Sequence, residues 1–171
     1  GSVGGHLPGS PKLRGATPYS ALLPYRRHDS CSSNYLLEAN MNSTLPESAV
    51  ELLNGKNFGN LATQTPEGHL QVTPVWVTTD GENVIINTTK DRHKTKYMEE
   101  NPQVAIDVLD PENPYRYASV TGKVVEITEQ GAEQLIHELS QKYNGHQYPL
   151  QPGEQRVTVK IAPENVIVAG R

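Results

Sequence analysis

Cysteine is nearly missing from this sequence. Cys31 stands alone, so neither an intramolecular disulfide nor a CxxC zinc site can form, and a reducing cytoplasm is the compartment that fits. Long apolar runs are missing too. Nothing approaches the roughly 18 residues of a membrane span, and the first residues show no charged segment leading into an apolar one, so neither insertion nor export is expected. There is no basic surplus: 15 Lys and Arg face 19 Asp and Glu, a formal net charge of −4. Binding a polymer of phosphates relies on many cationic contacts, which argues against nucleic acid as a partner. The phosphate-loop pattern GxxxxGKS/T and the dinucleotide pattern GxGxxG after a strand do not occur. His69, His93, His137 and His146 lack close ligand spacing, and no nucleophile elbow is present, so metal and nucleophilic catalysis are unsupported.

What is present divides near Met41. Residues 1–40 are dense in Gly, Pro and Ser without a lasting period of either kind, and suggest a disordered or artificial leader. The leader carries four Lys and Arg against two Asp and Glu, whereas residues 41–171 carry 11 against 17, so the expected domain is distinctly acidic. Its length suits one domain with a proper core.

Within the domain, LPESAVELLNG sets Ala49, Val50 and Leu53 on one helical face, with Pro46 near the start and Gly55 as a stop. FGNLATQT and LQVTPVWVTT flank PEG and predict a hairpin, and DGE turns the chain into NVIINTT. A second helix, capped by Asp91, ends by Asn101 and Pro102. QVAIDVLD is a fourth strand and YRYASVTGKVVEIT a long fifth, with a bulge or bend at Gly122. Ala132, Leu135, Ile136, Leu139 and Tyr143 then form a helical stripe that Gly145 ends. QRVTVKIAPENVIVAG is a last strand pair, or one strand bent at Pro163. The sum is a mainly β fold with three short helices, in which six antiparallel strands are expected to close a barrel.

The segment TTKDRHKTKYMEENP concentrates Lys90, Arg92, Lys94 and Lys96 in an otherwise acidic domain. On a helix this order opposes the dipole: the cations fall at the start and Glu99 and Glu100 at the end, each misplaced exposed charge costing a few tenths of a kcal/mol. A solvated helix face leaves that conflict in place. An anion at the helix start removes it, because free N–H groups point outward there and Lys or Arg adds charge-assisted hydrogen bonds. Thr88, Thr89 and Thr95 supply hydroxyls beside them. One small phosphorylated ligand is the expected occupant.

Three blocks in order, NLATQTPEGHLQVTPVWV, TTKDRHKTKYMEENPQVAIDV and LDPENPYRYASVTGKVVEIT, resemble the flavin and deazaflavin oxidoreductases of the pyridoxamine 5′-phosphate oxidase-like superfamily, in particular the branch dependent on coenzyme F-420. The resemblance runs from about Pro46 to Val168. It implies a split β-barrel of the FMN-binding-protein type, paired as a homodimer, with coenzyme F-420 or FMN in the grooves between subunits. Arg92 and Lys94 would grip the phosphate end, helped by Thr88, Thr89, Thr95 and Lys96. Pro74, Val75 and Trp76 would lie along the tricyclic ring, and Arg116 and Tyr117 would approach the opposite subunit's ring. Trp76 and Tyr117 suit barrel core or dimer packing equally well. No side chain is assigned as catalytic, since the cofactor carries the hydride in such chemistry.

The expected activity is hydride transfer between coenzyme F-420 or FMN and a small conjugated organic acceptor. The alternatives are a module that stores or senses the cofactor without turnover, and an anion-binding scaffold with no redox role. The vitamin B6 oxidases carry an Arg-x-His element in a C-terminal extension, and no such element accompanies the closing VIVAGR, so that reaction is not expected. FMN ends in a phosphate monoester, whereas F-420 continues through a phosphodiester into an anionic glutamyl tail. Lys90, Lys96, Arg156 and Lys160 are candidates for a basic groove along such a tail.

Overall fold

The computed structural model describes residues 38–40 and 44–170; the expectation of a leader falls mainly on residues outside these. In chain order the elements are β1 (Glu38–Asn40), α1 (Glu47–Asn54), β2 (Gly59–Gln64), β3 (Leu70–Val75), β4 (Val77–Thr79), β5 (Val84–Thr89), α2 (His93–Glu100), β6 (Gln103–Leu109), β7 (Tyr117–Thr128), α3 (Ala132–Asn144) and β8 (Arg156–Ala169). The strands form one antiparallel sheet in the order β3-β2-β6-β7-β8-β5-β4, with β1 also on β8. Its two ends, β3 and β4, are successive in the chain with Trp76 alone between them, so the sheet curls back on itself there.

Eight strands are described where six were expected. One of the two additions comes from LQVTPVWVTT, which pairs with β2 as far as Val75, opposite Gly59, and with β5 from Val77, opposite Ile86. The run therefore crosses from one sheet edge to the other at Trp76. Pro74 is tolerated because β3 is an edge strand with one hydrogen-bonded neighbour. The other addition is β1, three residues of the expected leader, which pairs with Val166–Val168. β5 covers β8 only from Arg156 to Ile161, and the later half of β8 has backbone left to pair on that side.

The other turns and breaks follow local chemistry. The hairpin between β2 and β3 closes at Thr65–His69, with Gly68 at φ 87°. The β7–β8 register shifts between Thr121 and Gly122, where any Cβ would run into the carbonyl of Ala162, and shifts again between Val124 and Glu126. Across Pro163 the chain remains one strand. Gly145, in the left-handed region, closes α3 through its N–H to the carbonyls of Ser140 and Gln141.

The core lies inside the curl. Ala49, Leu52 and Leu53 of α1 plug it against Leu61, Ile86, Ile106, Val120 and Ile161, while Val50 is only partly buried. Truncating Leu52 or Leu53 to Ala is expected to cost about 2–5 kcal/mol, the range for a fully buried Leu. α3 buries Ala132, Ile136, Leu139 and Tyr143, with Leu135 half-buried at the margin.

Candidate ligand site

β5 is buried along its whole length, flanked by β4 and β8, and its last residues deliver the chain to the start of α2. A pocket of about 250 Å³ opens at this junction. Asn87 and Thr88 of β5, with Arg92 and Lys94, line its polar end. Pro74, Val75 and Trp76 form one wall, and Phe58, Ile136, Tyr148 and Arg156 complete the lining.

Arg92 is the N-cap residue of α2, not Asp91 as expected. The Asp91 carboxylate instead accepts the Thr89 hydroxyl, the main influence holding its pKa low. The first turn of α2 contains no acidic residue and has no side-chain cap. Its amides at His93 and Lys94 have no acceptor within the helix, as at any helix start.

Lys94 is 9% exposed, and its Nζ donates to Thr73 Oγ1 at 3.0 Å. No carboxylate lies within ion-pair distance of it among the described residues. Burial, and then the charge of Arg92, push its pKa below the ordinary lysine value. A buried cation without a counter-charge is costly, and an arriving anion removes the cost.

Arg156 is fixed differently. Its Nε donates to Asn87 Oδ1 and its Nη1 to Glu154 Oε1, both at 2.7 Å, and its guanidinium lies 5.1 Å from the centre of the Tyr148 ring. Asn87 is itself anchored by donating from Nδ2 to the carbonyl of Ala132 at 2.8 Å. Burial alone would raise the Glu154 carboxyl, but the Gln151 amide and Arg156 hold it below the usual range.

The apolar wall is braced from behind. Trp76 stacks on Tyr143 with ring centres 5.2 Å apart and meets Tyr148 edge-on at 6.2 Å. The Tyr143 hydroxyl donates to the carbonyl of Asn57 at 2.6 Å and accepts from Val77 N at 3.2 Å. Beside it, Lys142 Nζ donates to the carbonyls of Leu53 and Val77, both at 2.8 Å, and burial lowers its pKa to about 8.

Of the residues expected at the site, Pro74, Val75, Trp76, Thr88, Arg92 and Lys94 meet in this pocket. Thr89 and Thr95 are buried beside it with their hydroxyls engaged, Thr89 on Asp91 and Thr95 on the carbonyl of Thr89 at 2.7 Å. Lys96 is exposed and outside the lining. Arg116 and Tyr117 also lie outside it: Arg116 is held by Glu51 at 2.9 Å and Asp110 at 3.2 Å, and Tyr117 opens β7 opposite Leu109 and Ala169. Of the groove candidates, Arg156 lines the pocket, whereas Lys90 pairs with Glu129 and Lys160 with Glu126.

Phe58, Asn87, Ile136 and Tyr148 were not anticipated at the site. Asn87 and Ile136 look like ordinary strand and helix positions. For Tyr148 a signal existed: an aromatic in a connector with Pro149, Pro152 and Gly153, shortly before a strand that opens on Arg156.

The family model for pyridoxamine 5′-phosphate oxidase matches residues 45–168. Among solved structures, an F420 reductase is 34% identical with a TM-score of 0.63, the match covering 71% of this chain and 98% of that one. A conserved hypothetical protein from Mycobacterium tuberculosis is 22% identical with a TM-score of 0.57, over 74% of this chain and 87% of that one. The General Stress Protein 26 from Bacillus anthracis is 17% identical with a TM-score of 0.56, over 71% and 92%. The last two share the fold. No curated protein matches the sequence significantly.

Proposed function

The chain belongs to the pyridoxamine 5′-phosphate oxidase family, and from that premise we propose that it binds FMN or coenzyme F-420 and transfers a hydride between that cofactor and a small conjugated organic acceptor. Lys94 is the observation that carries this reading. A buried ammonium with no carboxylate beside it, at the start of a helix that has no acidic residue in its first turn, fits a phosphoryl group. Arg92 adds a second charge from the mouth of the pocket, and Thr88 lines the same end.

The remaining walls suit a flat ring. Pro74, Val75 and Trp76 offer a continuous surface that Tyr143 prevents from yielding, and Tyr148 faces the same space. Bound there, a reduced flavin or deazaflavin supplies the hydride. The protein's part is to anchor the phosphoryl end, to orient the ring and to keep water from one face of it.

In this reading two copies pair. Leu70 and Val72, on the edge strand β3, are 77% and 63% exposed, an apolar surface that a second chain would cover. Arg116 and Tyr117, away from the pocket of their own chain, would then serve the pocket of the partner.

Mass spectrometry of the ligand released when the purified protein is denatured tests the reading directly, together with titration of the emptied protein with FMN and F-420. Arg92→Ala and Lys94→Ala should each weaken cofactor binding by about 1–3 kcal/mol, the scale of a charge-assisted hydrogen bond, without unfolding the protein. Unchanged affinity in both variants would refute the site. Bound cofactor that no acceptor oxidises would favour storage or sensing.

A further inference from the structure

Of the three cations that line the pocket, Arg156 alone has a carboxylate within ion-pair distance among the described residues. Its side chain is 6% exposed and is held at two points, Nε on Asn87 and Nη1 on Glu154, with the Tyr148 ring against it. Nη2 is different. It has no acceptor among the described residues, yet it is not sealed off, so it opens on the pocket. A buried donor without a partner is costly, and a ligand that brings an acceptor removes the cost. Pairing also decides which acceptor suits it. Glu154 offsets the charge of the guanidinium, so a full anion gains little there over a neutral carbonyl, whereas Lys94 keeps its charge for a phosphoryl group. The two cations enter from different sides as well. Lys94 reaches Thr73, while Arg156 lies against Tyr148, which meets Trp76 edge-on. Thr73 and Trp76 bracket the wall formed by Pro74 and Val75, and three residues of extended chain span about 10 Å.

We propose that Arg156 recognises the ring of the ligand and takes no part in gripping its phosphoryl group: Nη2 donates to an uncharged ring carbonyl oxygen at the Trp76 end of the wall. The inference rests on the cofactor reading above. Flavins and deazaflavins both carry carbonyl groups along one edge of the tricycle, so the contact serves either. Asn87 and Glu154 are positioning residues. They fix the plane of the fork before the ligand arrives, so little side-chain freedom is lost when the new hydrogen bond forms.

The test is titration of the full chain with FMN and riboflavin, and with F-420 and the deazaflavin riboside that lacks its phosphoryl group, together with the Raman carbonyl bands of the bound ring. Arg156→Gln should weaken the phosphorylated and the unphosphorylated ligand of a pair by the same factor, about tenfold. Lys94→Met should weaken only the phosphorylated one. One carbonyl band should move to higher frequency in Arg156→Gln and stay in place in Lys94→Met, a signature that lost packing alone would not give. Where Arg156→Gln does not fold, Arg156→Lys carries the same expectations, because it keeps a cation for Glu154 but lacks the second arm of the fork. A loss confined to the phosphorylated ligand would put Arg156 at the phosphoryl end and overturn the inference, as would an unmoved carbonyl band, and in both cases the cofactor reading stands. Failure of the natural chain to bind any of the four compounds would overturn both.

Discussion

Pairing separates the cations of this chain more than residue type does. Lys90 and Lys160 each close on a carboxylate within 3.0 Å, whereas Arg92 and Lys94 close on none among the described residues. An exposed pair such as Lys90–Glu129 contributes little to stability, because water and salt screen it, and leaves neither partner much to offer a ligand. The buried ammonium of Lys94 is a standing cost to the empty protein. Side chains of identical chemistry thus divide into those whose charge is spent within the fold and those whose charge is left for something else.

The sharpest way to break the contrast is Lys94→Met. Affinity for FMN or F-420 should fall by about 1–3 kcal/mol, while the ligand-free protein should melt at the same temperature or higher, because an unpaired buried charge has been removed. Titration and a melting curve on one preparation check both signs. A melting temperature that drops together with affinity would mean that Lys94 is structural.

A smaller effect is expected at the brace behind Trp76. Tyr143→Phe keeps the stacked ring but leaves the Val77 N–H and the Asn57 carbonyl without their shared partner, at about 1 kcal/mol or somewhat more of stability. Denaturant unfolding measures it, and ligand affinity should move less than with Lys94→Met.

Lys142 sharpens the contrast through pH. Its folded pKa is lowered to about 8, below the unfolded value, so between about pH 8 and 10 the unfolded chain binds more protons than the folded one, and stability from this group rises with pH. The burden of its burial is fully present below pH 8. Tyr143, whose pKa burial raises, acts with the opposite sign once its unfolded value near 10 is passed, which closes the window. Lys142→Met should flatten the rise in melting temperature across that interval. The smallest effects belong to Lys90→Ala and Lys160→Ala, whose melting temperature and FMN titration should be indistinguishable from those of the natural chain.

Much of this molecule can be seen in its sequence wherever the signal is local. The hairpin at PEG, the bulge at Gly122 and the stop at Gly145 all depend on residues adjacent in the chain. The division of LQVTPVWVTT at Trp76 does not, because both halves have strand chemistry and only the curl of the sheet sends them to opposite edges. The placing of Asn87, Tyr148 and Glu154 around the Arg156 guanidinium joins positions up to 69 residues apart. Asp91 misled as a cap because the nearby Thr89 hydroxyl competes for the same carboxylate. Arg116 bridges Asp110, six residues away, and Glu51, 65 residues away, and only the first of these pairings has a local signal.

The stretch from Leu70 to Thr79 fastens the two margins of the sheet together and also forms a face of the cavity. That side cannot be remodelled for a differently shaped guest without unfastening the architecture. Freedom to diversify lies instead with the connector bearing Tyr148, which no strand pairing restrains, so relatives handling other molecules should differ first between residues 146 and 155.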